Sequence, residues 1–136
     1  MGQLIEICHR LPTVDEHRRL FERIGWPWYG EEAVRRALVG STFGAVARRA
    51  DHVVGMGRVV GDGSVFFYLQ DLVVDPDVHR LGIGSSLVSA LLSAARARSG
   101  STTFVGVFAT DVGVDLYARH GFRPPDLTAL VSLGRS

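Results

Sequence analysis

The chain has 136 residues, 46% apolar and 21% charged, with a net charge of +1 at neutral pH. This predicts one domain spanning residues 1–136, able to bury roughly two-thirds of its unfolded surface. It excludes a broad basic field for nucleic acid. No apolar run approaches the ~20 residues that cross a bilayer, so no membrane association is expected. MGQLIEICHRL has no basic segment ahead of an apolar core, so no secretory leader is expected. The single cysteine, Cys8, excludes an internal disulfide and fits a cytoplasmic chain. All fifteen basic residues are arginine, so no lysine is present for Schiff-base or phosphate chemistry.

LIEICHR (Leu4 to Arg10) alternates and predicts a first strand. TVDEHRRLFERIG predicts a helix with Thr13 as N-cap, Glu16 three residues on and Gly25 as its stop. WPWYG is an aromatic loop, and EEAVRRALVGS a short second helix ending near Gly40. Phe43 to Val74 divides into three antiparallel strands, broken at Arg49-Ala50-Asp51 and at Gly61-Asp62-Gly63. From Ile83, apolar residues recur at Leu87, Leu91 and Ala95, with Val88 and Leu92 beside them, which is one face of a long helix. Thr102 to Thr110 is a β-branched strand, VGVDLYARHG a short helix, and LTALVSL (Leu127 to Leu133) a last strand. The order β-α-α-β-β-β-α-β-α-β predicts an α+β domain with a mixed, mostly antiparallel sheet and flanking helices.

Gly82 and Gly84 stand at the mouth of the long helix. Its first backbone N–H groups lack intrahelical partners and carry partial positive charge. A residue without Cβ lets an anion approach them closely. Arg80 adds a full charge and Ser85 a hydroxyl. The competing reading is that both glycines only permit close packing. A dinucleotide fingerprint needs a third glycine, where Leu87 stands, and a P-loop needs a lysine; both fail.

His79-Arg80-Leu81-Gly82-Ile83-Gly84, followed by a long helix, resembles the acetyl-CoA signature of the GCN5-related N-acetyltransferases (GNAT). LYARHGFRP (Leu116 to Pro124) resembles that family's second signature, a tyrosine four residues before Gly-Phe. The likeness covers nearly the whole chain. It implies a V-shaped split between the fourth and fifth strands. It implies that the pantetheine arm of acetyl-CoA lies against Leu72, Val73 and Val74, with the diphosphate on His79, Arg80, Leu81, Gly82, Ile83, Gly84 and Ser85. His79 departs from the usual glutamine or arginine. Thr110 stands where many members carry an asparagine for the pantetheine arm.

Tyr117 is the candidate general acid: a phenol of reference pKa ~10 stays protonated at neutral pH. A packing role is its alternative. A backbone N–H of Leu72 or Val73 is the candidate oxyanion donor. Asp71 is the nearest carboxylate to a family glutamate position, and partial burial would raise its pKa towards that of a base. Bonding at a strand bulge is its alternative, and a water chain could serve instead. Trp28 and Tyr29 are candidate acceptor contacts. The five histidines lack metal-ligand spacing, so no metal is expected. The expected activity is acetyl transfer to a small primary amine, with a homodimer possible. The rival is a non-catalytic acyl-CoA sensor.

Overall fold

The computed structural model describes residues 4–134. One sheet holds five strands in chain order: β1 (Ile5–Cys8), β2 (Phe43–Arg49), β3 (His52–Gly61), β4 (Phe66–Val74) and β5 (Phe104–Val107). The first three pairings are antiparallel, and β4 with β5 is parallel. The helices are α1 (Val14–Ile24), α2 (Glu31–Val39), α3 (Ile83–Ser99) and α4 (Val114–Arg119). This is the α+β order expected, up to α4.

Local chemistry sets the element ends. Thr13 and Glu16 close a reciprocal capping box, and Gly25 ends α1 in the left-handed region at φ 77°. In the β3–β4 turn, Asp62 Oδ1 accepts from the amides of Ser64, Val65 and Phe66.

Two cores flank the sheet. On one side α3 buries Ile83, Leu87, Val88, Leu91, Leu92 and Ala95 against Ala45, Val59, Phe67 and Leu69. On the other, Leu20 and Phe21 of α1 pack on Val46, Val53, Met56 and Val73. β4 therefore carries core on both faces, which suits a central strand.

Two features of β4 position the site. Its pairing with β5 runs only from Phe66↔Phe104 to Leu69↔Val107, so among the described residues Gln70 to Val74 have no partner on that side. This is the expected split. On the β3 side, Met56 pairs with Val73 and Arg58 with Gln70. Gly57 alone therefore faces two residues, Asp71 and Leu72. That is a β-bulge, with Asp71 at φ 54°.

The last strand expected at Leu127 to Leu133 is not formed. Leu127, Leu130 and Leu133 are 83%, 87% and 85% exposed. An alternating sequence supplies side chains for a sheet but not the neighbouring edge its backbone requires. After Gly121, Pro124 and Pro125 lead the chain on without pairing it to β5.

Candidate active site

The chain leaves β4 through a 3-10 turn, Pro76–Val78, and enters α3 at Gly82. Gly82 lies at φ 77°, and a Cβ built on it would meet nothing within 4 Å. Its conformation asks for glycine; its surroundings leave the backbone open. Gly84 differs: a Cβ there would stand 3.3 Å from Leu116 of α4 and 3.8 Å from Val74. Close packing therefore accounts for Gly84 and not for Gly82.

Among the described residues no acceptor is bonded to the amides of Arg80, Leu81, Gly82, Ile83, Gly84 or Ser85. α3 has no side-chain cap and no acidic residue in its first turn. Six free donors at the start of a 17-residue helix make an anion cradle. Arg80 (itself at φ 71°) and Leu81 are exposed there, while the Ile83 side chain is core, so Ile83 can contribute only its amide. Ser85 Oγ lies 2.8 Å from His120 Nε2. His79 Nε2 donates to the Val74 carbonyl at 2.9 Å, which bends the loop back over the end of β4 and occupies that imidazole nitrogen.

The direction of the β4 backbone narrows the strand contact. Asp75 N–H donates to Val54 O across to β3. Successive strand residues alternate in the direction of their backbone groups. Val73 therefore also turns towards β3, in register with Met56. Leu72 and Val74 turn to the split. Of the three residues expected to pair with a pantetheine arm, Val73 lacks the required direction, and Leu72 rather than Val73 presents a free N–H as oxyanion donor.

Tyr117 sits on α4, one residue after the Leu116 that touches Gly84. Its ring packs edge-on against Phe122, centroids 5.4 Å apart. Burial pushes the phenol up to about 12. No enclosed side-chain nitrogen or oxygen is left unpaired among the described residues, and the Tyr117 hydroxyl has no protein partner, so it reaches open space. Thr110 Oγ1 accepts from Gly113 N–H at 3.2 Å and so shapes the entry to α4. Its hydroxyl proton stays free to donate.

Asp71 is the centre of a second cluster. Arg58 Nε donates to its Oδ2 at 2.6 Å and His17 Nε2 to the same oxygen at 2.9 Å. Trp28 Nε1 donates to His17 Nδ1 at 3.0 Å, and Arg58 also reaches Ser41 Oγ at 3.3 Å. Burial by itself would raise the Asp71 pKa. The hydrogen bonds from His17 and Arg58, with the Arg58 charge, outweigh it, and the pKa is lowered. This reverses the expected direction and leaves Asp71 a stable anion, poorly suited to take a proton. The bulge does place it, but its partners are side chains, not backbone. Tyr29 is 62% exposed, and its phenol is raised by partial burial and by the nearby Asp71 charge. Trp28 and Tyr29 thus gather with Asp71 on the α1 face of β4.

His17 and Arg58 were not singled out from the sequence. HRR in an amphipathic helix reads as surface charge, yet His17 is 1% exposed. Its position on the buried stripe, three and four residues before Leu20 and Phe21, was the available signal.

The sequence profile of the acetyltransferase (GNAT) domain matches residues 15–129. The chain is 30% identical over 107 residues to Serotonin N-acetyltransferase 2, chloroplastic, of Oryza sativa subsp. japonica, covering 76% of this chain and 52% of that protein. It is 30% identical over 110 residues to the uncharacterized N-acetyltransferase YitH of Bacillus subtilis, covering 76% of this chain and 35% of that protein. The chain thus spans about half the length of one relative and about a third of the other. A GNAT family protein of Streptococcus pneumoniae, SP0256, superposes with TM-score 0.82 at 29% identity, covering 98% of this chain and 100% of that one. A probable acetyltransferase of Staphylococcus aureus, SA2161, superposes with TM-score 0.86 at 24% identity, covering 96% and 100%, which speaks to the fold alone.

Proposed function

The chain belongs to the GNAT acetyltransferase family, and from that premise we propose that it moves an acetyl group from acetyl-CoA to a small primary amine by direct transfer. The observation that carries this reading is the row of six unpartnered amides, Arg80 to Ser85, beside a β4 edge that β5 leaves open. The residues fit the coenzyme: open backbone at Gly82 for a diphosphate, and free strand groups at Leu72 and Val74 for an amide-bearing arm.

Bound acetyl-CoA supplies the activated acyl carbon and a thiolate leaving group. The protein supplies the rest. Arg80 and the loop amides hold the diphosphate. The Leu72 N–H, which opens into the split, would donate to the thioester oxygen as it gains charge. Tyr117 would donate to the departing sulfur. Burial disfavours the phenolate, so the phenol keeps its proton at neutral pH. Tyr117 therefore acts first as a hydrogen-bond donor, and protonation of sulfur is completed with solvent. Trp28 and Tyr29 line the acceptor side, consistent with an aromatic amine such as the one in the rice relative's name.

The proposal includes a homodimer. Leu127, Leu130 and Leu133 are exposed on an unpaired segment of strand-like sequence, and β5 keeps an unpaired outer edge. Exchange of the segment onto β5 of a second copy would satisfy both.

The test is release of free thiol from acetyl-CoA with serotonin, spermidine and a free amino acid. Amine-dependent release supports transfer. Tight coenzyme binding without release to any amine would favour the sensor reading.

A further inference from the structure

The reaction needs a group to receive the proton that the amine loses, and Asp71 is a poor candidate. One buried imidazole lone pair lies close by, on His17. Tryptophan N–H is a donor only, so His17 Nδ1, 3.0 Å from Trp28 Nε1, must be an acceptor. The proton of neutral His17 is then on Nε2, which donates to Asp71 Oδ2. The ring is stacked on Phe21, centroids 4.5 Å apart at 18°, so its plane is held. Asp71 is in turn held by Arg58. The pattern is an imidazole oriented by a buried carboxylate, with its basic nitrogen covered by a single indole N–H from a loop.

The geometry points to His17 as the proton acceptor of the transfer, with Asp71 behind it and Trp28 as a removable cover; this rests on the acetyl-transfer reading above. An amine entering beside Trp28 replaces the indole N–H with its own. Its lone pair forms the C–N bond, and the C–S bond breaks with its electron pair going to sulfur. The amine proton passes to His17 Nδ1. The imidazolium is stabilised by Asp71 while sulfur receives its proton from Tyr117 or water. His17 then releases its proton to solvent, and Tyr117 recovers one. His17 is linked to the split through Asp71, the residue before Leu72, whose N–H opens into it.

The groups facing His17 and its cover are Asp71 from β4, Arg58 from β3, Tyr29 from the loop, and Arg18 of α1, whose guanidinium lies 5.4 Å from the Trp28 ring centre. In this series only His17 is changed. Thiol release with serotonin, spermidine and the free amino acid is followed for the wild type and His17→Gln between about pH 6 and about pH 10. Glutamine keeps a donor and an acceptor but no basic nitrogen. The expected result is a kcat lower by ~10²-fold near neutral pH, with the gap narrowing at high pH as hydroxide replaces the missing base. A gap that does not change with pH, or no gap, overturns the proposal, because a purely structural histidine gives one or the other. A wild type that releases thiol with none of these amines overturns both this inference and the reaction it rests on. If His17→Gln does not fold, Trp28 emission decides in a Trp26→Phe protein. It must change when coenzyme and amine are saturating, and no change overturns the cover.

Discussion

Ser85 Oγ and His120 Nε2 lie 2.8 Å apart, tying the first turn of α3 to the end of α4. Tyr117 is three residues before His120. The helix whose first amides are unpartnered among the described residues is thus fastened to the helix that carries the phenol. Tyr117→Phe is expected to lower kcat by ~10²-fold while coenzyme binding, measured by calorimetry, stays within about threefold. An unchanged kcat would remove the hydroxyl from the reaction.

Gly82→Val acts on conformation rather than on space. At φ 77° no neighbour lies within 4 Å of the added Cβ, but an L side chain is disfavoured there by ~1–2 kcal/mol. The loop must shift, and the row of amides with it. Coenzyme affinity is expected to fall at least ~10-fold, which is about 1.4 kcal/mol, with the far-ultraviolet circular dichroism retained. Full affinity in the variant would show that the amides do not hold the diphosphate.

Coenzyme A should protect the fold. At ~100 times its dissociation constant a ligand of the native state adds about 2.7 kcal/mol. Differential scanning fluorimetry should register a rise in Tm of several degrees. No rise at millimolar coenzyme would argue against the binding site itself.

Acid should loosen the α1 face. Arg23 holds Asp75 through Nε and Nη2 at 3.0–3.3 Å, which lowers the Asp75 pKa, and Asp71 is lowered as well. A lowered carboxyl pKa gives stability that is complete above the unfolded value of ~3.9 and is lost as pH falls through the folded one. Tm should therefore start to drop near pH 4. Asp75→Asn should be less stable near neutrality and show a shallower acid decline. An equally steep decline would place the acid sensitivity elsewhere.

Val131→Pro tests strand exchange. Among the described residues none bonds to residue 131, so the fold should be unaffected. Proline removes the N–H that a paired strand needs. Light scattering is expected to show a wild-type dimer at micromolar concentration and a monomeric variant. A monomeric wild type, or a variant that stays dimeric, would rule out this pairing.

Much of the molecule was legible from local chemistry. The capping box at Thr13 and Glu16, the periodic face from Ile83 to Ala95 and the turn at Gly61-Asp62-Gly63 depend on residues within a few positions of one another. The glycine loop was legible for the same reason, since the orphan donors of a helix start lie within one turn.

The Asp71 cluster was not legible in this way. His17, Arg58 and Asp71 come from α1, β3 and β4, and no spacing rule connects them. A single extra residue in β4 turns the Asp71 carboxylate towards α1, where Arg58 and His17 reverse the effect of burial on its pKa. The fate of LTALVSL depended on three dimensions too. Alternating side chains make a segment suitable for a sheet, but only an edge within reach makes it a strand. The amino-acid order alone thus determined the elements as far as α4, their sequence and the open glycine loop at the start of α3, because those rest on neighbours along the chain. Tertiary structure decided which carboxylate is held by Arg58 and His17, which imidazole nitrogen accepts the Trp28 N–H and which strand finds a partner, because each depends on groups brought together from separate elements.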